Sequence, residues 1–404
     1  MRIVCVGGGP AGLYFAISAK RRDASQEIIV LERDPPGATY GWGVVYWDNL
    51  LDVLFRNDPG SARALRAAST LWQEQRISLG GSSAAYLTGY GFSLQRAALL
   101  EILARRATDL GVEVEYRHEV DDLRPYADAD LVVASDGANS RVRQLAQDDF
   151  GTKVEIGGNP YIWLGTDKRF DSFTFAFERT SAGWIWFHAY PSSVGVSTCI
   201  VECSQRTWKG LGLDLLSAED APRMLEKIFS GPLDGHPLIS QCRGRAARWL
   251  RFADVTNRSW YHDNVVLIGD AAHTTHFAFG SGTALAIVDA VALAQSMYDS
   301  GGDLPAALRD FDRRGRAALG PLQAAARTSM AWFERVDPYL DQDPVSFAYS
   351  MASRQGEQPP WRYPVHRVSQ HPAVRRALRG LNSSARWGLA RRRGEPVARR
   401  SAEG

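Results

Sequence analysis

Apolar and polar positions divide the chain into segments of two periods. RIVCVG at 2–7 is a short β-rich run that breaks into glycines, and behind it Leu13, Ala16 and Ile17 recur at helical spacing. EIIVLER at 27–33 predicts a second buried strand. Residues 93–110 read as a helix and VEVEYR at 112–117 as a strand. DADLVVASDGANSRVR at 128–143 reads as a buried strand running into a turn and a helix. NVVLIGDAA at 264–272 predicts another buried strand, and beyond residue 282 Ala284, Ile287, Val288, Val291 and Leu293 make one apolar helical side.

Between these, residues 160–203 change character. YIWLGT, FTFAFE, GWIWFHAY and VSTCIVEC alternate with period two between turn-prone stretches, as an antiparallel sheet does. In GWIWFHAY the alternation places Trp184, Trp186, His188 and Tyr190 on one face and Ile185, Phe187 and Ala189 on the other. One face is then an aromatic, hydrogen-bonding wall, set against the alternative that it packs beneath a helix. The pattern as a whole predicts an α/β protein: a Rossmann-like nucleotide-binding domain with an inserted antiparallel-sheet domain and a helical C-terminal segment. The expected divisions are 1–150 and 257–350 for the two parts of the nucleotide domain, 151–256 for the insertion and 351–404 for a tail.

Composition adds limits. With 404 residues, 45% hydrophobic and 23% charged, the chain suits two or three domains sharing a substantial core. Cys5, Cys199, Cys203 and Cys242 include no Cys-x-x-Cys spacing and are too few for a disulfide framework. Met1 leads directly into the first apolar run with no room for a signal sequence, and no apolar stretch approaches the ~18 residues that span a bilayer. A cytoplasmic protein without a membrane partner is expected. The net charge of +2 is unevenly placed: residues 361–404 hold eleven Arg and only Glu395 and Glu403 as acids, giving +9 against −7 for the remainder. That segment reads as a solvated, partly disordered terminus, or else as a docking surface for an anionic partner.

Gly7, Gly9 and Gly12 stand in the register G-x-G-x-x-G between strand and helix, with Glu32 about twenty residues past the last glycine. In a dinucleotide-binding unit Gly7 makes the tight turn, Gly9 lets a pyrophosphate approach, Gly12 lets helix and strand pack, and Glu32 holds ribose hydroxyls. A second stretch, GDAAHTTHFAFGSG at 269–282, brings Asp270, His273 and His276 within seven residues, a set compatible with zinc. No further ligand cluster accompanies it, and its glycines favour close approach of a ligand to backbone; no metal is expected.

Three motifs in this order, G-x-G-x-x-G at 7–12, DGANSRVR at 136–143 and GDAAH at 269–273, resemble the class A flavoprotein aromatic hydroxylases of the p-hydroxybenzoate hydroxylase type. GWGVV at 41–45, YIWLGTDKRFDSFTFAFE at 161–178, HAY at 188–190, VEC at 201–203 and HFAFGSGT at 276–283 are similar to the branch that contains salicylyl-CoA 5-hydroxylase, anthraniloyl-CoA monooxygenase and the tryptophan hydroxylase of violacein biosynthesis. Most of the family has Pro at the position of Phe277 and Asn at that of Ala284; this branch shares both departures.

The resemblance implies FAD as cofactor, NADPH or NADH as electron donor and molecular oxygen as co-substrate. It assigns FAD contacts to Gly7, Gly9, Pro10, Ala11, Gly12, Glu32, Arg33, Arg96, Asp136, Gly269 and Asp270. Trp42, Gly43, Val44 and Val45 would lie along the flavin ring, and Gly280, Ser281, Gly282 and Thr283 would begin a helix whose positive end faces reduced flavin. Arg96 would reach the pyrophosphate, and Arg141 and Arg143 are candidates for the nicotinamide path. With no second glycine fingerprint, that donor would bind transiently in a groove.

His188, Tyr190 and His276 are the candidate catalytic residues, accepting or relaying a phenolic proton, and Tyr46, Trp163, Trp186 and Phe277 the candidate substrate-lining ones. The substrate expected from the branch is an electron-rich aromatic acid presented as a thioester on CoA or a carrier protein. Free tryptophan or another indole is the alternative. Outside this class stand a flavin-dependent reductase or dehydrogenase, and a nucleic-acid binder; the latter is disfavoured because the tail offers only Trp361, Tyr363 and Trp387 for stacking.

Overall fold

The computed structural model describes residues 1–39, 41–242, 245–354, 356 and 358–395. The chain opens with β1 (Arg2–Val6), α1 (Pro10–Arg22) and β2 (Glu27–Glu32). It continues through β3 (Gly43–Tyr46), α2 (Asp48–Asn57), β4 (Thr70–Leu79), β5 (Ala85–Gln95), α3 (Arg96–Asp109), β6 (Glu113–Tyr116) and β7 (Leu131–Ala134). Four long strands follow, β8 (Lys153–Thr166), β9 (Phe173–Thr180), β10 (Gly183–Ser193) and β11 (Val196–Cys203), then β12 (Trp249–Thr256) and β13 (Val265–Leu267). Helices close the chain: α4 (Gly282–Asp299), α5 (Leu304–Glu334), α6 (Pro344–Ser353), α7 (Arg362–Ser369) and α8 (Pro372–Arg392). None among the described residues is long and apolar enough to cross a membrane.

The first sheet has the order β13, β7, β1, β2, β6, parallel throughout, with Tyr261–His262 added antiparallel at its edge. Parallel strands covered on both faces must be apolar on both, and Ile3, Val4 and Cys5 are all fully buried. The second sheet runs β8, β11, β10, β9, β4, β5, β3, extended by Leu238–Ile239 and by β12, both paired with β8. Its outer face buries Ile185, Phe187 and Ala189 against Leu225, Phe229 and Leu233. Its inner face buries Phe175, Phe177 and Trp186 against Trp332 and Phe333 of α5 and Phe347 and Met351 of α6.

Three expectations are corrected. Residues 93–110 are not one helix: β5 continues to Gln95, because Ser93 pairs with both Val45 and Thr70, and long-range ladder bonds override the local helical pattern. The stretch 1–150 is not wholly nucleotide domain, since β3, β4 and β5 join the second sheet, β4 lying parallel to the sequence-remote β9. The tail contains the end of α6 and the helices α7 and α8, reaching Arg392. Some of its arginines find carboxylates elsewhere in the fold: Arg375 lies 3.5 Å from Glu74 and over the ring of Tyr86, and Arg393 is 2.6 Å from both Asp48 and Asp52. Residues 396–404, with Arg399, Arg400 and Glu403, lie outside the described residues.

The contact that fixes β1, α1 and β7 has no spare volume. Gly7 adopts φ +107°, and a side chain there would come within 2.5 Å of the Ser135 carbonyl; a Cβ on Gly12 would fall on the Gly7 carbonyl and the Ser135 hydroxyl. Gly12→Ala is expected to destabilise the protein by about 3 kcal/mol, read as a lowered urea midpoint; an unchanged midpoint would show that α1 can shift away from the strand.

Candidate active site

A cleft of about 900 Å³ opens where β1 and β7 end side by side. Gly7, Gly9, Pro10, Ala11, Glu32, Arg33, Arg96, Asp136, Asp270, Gly282 and Thr283 all line it. Of the expected contacts, Gly12 and Gly269 pack behind it, and Trp42, Gly43, Val44, Val45, Gly280 and Ser281 are not among its lining residues. Ser135, Tyr116 and Val120 also line it; they lie outside the glycine and Asp-Gly motifs, which is why sequence does not point to them.

The cleft's chemistry suits an anionic dinucleotide. Both α1 and α4 begin at it with no side-chain cap and no acidic residue in the first turn, so their N-terminal amides are available to phosphate oxygens. A Cβ on Gly9 would meet only the Ser135 carbonyl, at 3.9 Å, so the bare backbone there faces the cleft. Glu32 is held at the end of β2 by accepting the amides of Gly8 at 2.7 Å and Asp34 at 2.8 Å. Asp136 caps the helix Arg141–Leu145 through Oδ2, 2.7 Å from the Arg141 amide, and leaves a buried Oδ1 without a partner among the described residues.

Arg96 and Asp270 are electrostatic neighbours within it. Desolvation lowers the Arg96 pKa, opposed chiefly by Asp270; desolvation raises that of Asp270, opposed chiefly by Arg96. Asp270 is exposed and lines the cleft. Arg143 is not available to a docking nicotinamide. It is buried and donates to the carbonyls of Ala271 at 2.8 Å and Ala138 at 2.6 Å.

Toward the second sheet, Trp42 lies against Gly165, Trp163 against Gly41, and the Arg96 amide donates to the Trp42 carbonyl at 2.9 Å. Tyr190 donates its hydroxyl to the Gly43 carbonyl at 2.9 Å, and desolvation raises its pKa, so it ties this turn to the sheet. Gly280, at φ +76°, passes beneath Trp47 and Val45, with no room for a side chain.

Phe277 forms the centre of an aromatic group. Its ring lies 4.4 Å from Tyr161, 4.1 Å from His276 and 5.7 Å from His188, and His188 also stacks on Phe173. His188 and His276 are 2% and 4% exposed. Burial pushes both pKa values down to about 3, helped by Arg354 at His188 and by His188 and Arg354 at His276, so both rings are neutral acceptors at physiological pH. His273 belongs elsewhere: burial opposes its charge, but Asp289 at 2.7 Å outweighs this and raises its pKa. Asp270, His273 and His276 therefore face different partners.

Two substrate-lining expectations are corrected. Tyr46 alternates away from Val45 into the first core, 3% exposed and bonded to Ser69 at 2.5 Å. Trp186 is 1% exposed, stacked between Phe177 and Phe333 as core. Two other buried groups stand near this aromatic group. Glu202, paired in register with Trp186 and Tyr161, is pushed up to about 7 by desolvation. Arg354 donates to Ser329, Met351 and Ala278 and is pushed down to about 10 by burial. Only strand register and the fold of the tail could reveal these two.

The neutral histidines set a pH dependence. At these two positions the unfolded state takes up protons near pH 6.5 that the native state refuses until about pH 3, so their contribution to stability rises with pH across that window, partly offset by Glu202 and His273, whose raised pKa values act in the opposite sense. Urea midpoints are expected to fall between pH 7 and pH 5, by roughly 1.4 kcal/mol per pH unit for each fully shifted histidine. The double variant H188Q/H276Q should flatten the trend; an unaltered slope would refute the assignment.

Comparison with known proteins agrees with this geometry. Residues 87–300 match the family described as FAD binding domain. Salicyloyl-CoA 5-hydroxylase of a Streptomyces species is 38% identical over 365 residues, covering 88% of this chain and 70% of that protein. The 3-hydroxy-4-methyl-anthranilyl-[aryl-carrier protein] 5-monooxygenase of Streptosporangium sibiricum is 36% identical over 362 residues, covering 90% and 96%. In fold, tetrameric 2-methyl-3-hydroxypyridine-5-carboxylic acid oxygenase superposes with TM-score 0.65 at 20% identity, over 88% of this chain and 93% of that one. A dinucleotide cleft at a parallel-sheet switch point, joined to an antiparallel sheet with an aromatic inner face, thus places the chain in the FAD binding domain family, among its FAD-dependent aromatic hydroxylases.

Proposed function

We propose that the protein hydroxylates the ring of an aromatic acyl thioester of the salicyl or anthraniloyl type, carried on CoA or a carrier protein, in the cytoplasm. The observation that supports this most is the pair of buried, neutral histidines around Phe277, beside the cleft of Arg96 and Asp270. In this reading the amides of Gly7–Ala11 and the N-terminus of α4 hold the FAD phosphates and ring edge, Glu32 and Asp136 its ribose and pyrophosphate region, and Arg96 the pyrophosphate charge. When bound and reduced by NADPH or NADH, FAD supplies the activated oxygen that is inserted into the ring.

The chain's own residues do the rest. Tyr190 fixes Gly43 and the turn that carries it; in this reading Trp163, Phe277 and Tyr161 wall the substrate chamber and exclude water from it. His188 or His276 accepts the hydrogen of the phenol or aniline, raising electron density at the carbon to be hydroxylated. The role is that of a hydrogen-bond acceptor, which needs an unprotonated imidazole nitrogen, and burial keeps the rings unprotonated. The substrates in the names of these two relatives, both aryl thioesters, support the substrate class.

Purified protein is expected to be yellow, to oxidise NAD(P)H faster with salicyloyl-CoA than with salicylate or tryptophan, and to place one labelled atom from ¹⁸O₂ in the product. Fast oxidation without labelled product would leave a reductase; preference for tryptophan would overturn the thioester reading. His188→Gln should lower kcat about 100-fold with substrate affinity retained, and Arg96→Ala should weaken FAD binding about tenfold or more by flavin fluorescence titration. Wild-type behaviour of either variant would remove that residue from the scheme.

A further inference from the structure

We propose that the outward face of α7 and α8 docks an acidic carrier domain that delivers the aromatic thioester; this rests on the thioester reading above. Residues 358–394 contain nine arginines and no aspartate or glutamate. Three serve the fold: Arg375 and Arg379 against Glu74, and Arg393 against Asp48, Asp52 and Glu395. Arg362, Arg367, Arg376, Arg391 and Arg392 are exposed and form no ion pair among the described residues. The segment that reads from sequence as a solvated tail is therefore a built surface, with its structural cations separated from its free ones.

That surface is also apolar. Trp361, Val365, Val368, Leu381 and Trp387 are between 47% and 67% exposed, interleaved with the free arginines. Arg362 and Arg391 lie over the rings of Trp361 and Trp387, and exposed apolar side chains among cations without a carboxylate match a partner that presents apolar side chains ringed by carboxylates, the chemistry of an acidic amphipathic helix. A nucleic acid fits less well, because Val365, Val368 and Leu381 offer no ring for base stacking. The remainder of the chain is net negative, so the attraction is local to this face.

Its position suits delivery. Arg393 fastens the C-terminal end of α8 to Asp48, and Asp48 follows closely on β3, whose Gly43 accepts the Tyr190 hydroxyl beside the chamber. A carrier held on α8 is thereby referenced to the strand that borders the site, and a flexible prosthetic arm bridges the rest.

The test uses the full-length holoenzyme with two substrates of equal acyl group: salicyl on a phosphopantetheinylated aryl-carrier domain, and salicyloyl-CoA. The variant R367E/R376E/R392E is expected to raise KM for the carrier substrate about tenfold or more while leaving kcat, FAD content and the CoA KM unchanged. Its lysine counterpart R367K/R376K/R392K, which keeps the charge, should stay near wild type. Binding of the unloaded carrier, read by calorimetry, should weaken in the reversal variant and with rising salt. Equal loss toward both substrates would overturn the proposal in favour of general attraction of anions. No change in carrier KM or binding would overturn it too, as would loss only of self-association or of binding to vesicles of phosphatidylglycerol. Carrier binding that depends on these arginines without turnover of any thioester would uphold the surface and reject the substrate reading instead.

Discussion

The whole arrangement rests on one steric contact, the meeting of Gly7, Gly12 and Ser135 at the ends of β1 and β7. Because backbone touches backbone there, α1 can start immediately behind β1 and its first amides emerge into the cleft rather than into protein. The same closeness sets β1 between β2 and β7, so that Glu32 and Asp136, carried on the turns after the flanking strands, approach the cleft from two sides. Asp270 arrives from β13, the next strand over. Widening that contact would move all of these groups at once.

Polar and apolar burial are kept apart across the site. On the cleft side charges are tolerated because each has an opposite neighbour or a capping amide: Arg96 with Asp270, Glu32 with the Gly8 and Asp34 amides. Around Phe277 the two histidines are instead left neutral. Desolvation keeps His188 and His276 unprotonated and raises the Glu202 pKa to about 7. Arg354 is the exception, a buried cation satisfied by Ser329 and two carbonyls, one of them Ala278 next to Phe277, so it pins the turn that carries the aromatic group.

Much of this was legible in the chain, and for local reasons. The glycine fingerprint, the acid at Glu32 and the Asp-Gly and Gly-Asp motifs are spaced by backbone geometry that sequence records directly, and the period-two run at 183–190 correctly assigned Trp186 and His188 to the same inner face. What escaped depends on partners distant in sequence. Ser93 is in a strand because Val45 and Thr70 are beside it; Tyr46 is core because β3 alternates relative to Gly280; Arg354 and Glu202 matter through what folds around them. The ordered C-terminal helices escaped for the same reason, since the carboxylates that hold Arg375 and Arg393 lie at Glu74, Asp48 and Asp52.

The parallel pairing of β4 with β9 has a consequence for synthesis on the ribosome. Gln75 to Leu79 cannot find Phe173 to Phe177 until about a hundred further residues have been made, and β10 and β11 are needed to finish the sheet. Meanwhile the β3–β4–β5 ribbon waits with an open hydrogen-bonding edge and uncovered Trp72, Ile77 and Phe92, an adhesive surface of the kind that chaperones shield. Nascent chains stalled within that interval would carry the molecule's chief aggregation hazard.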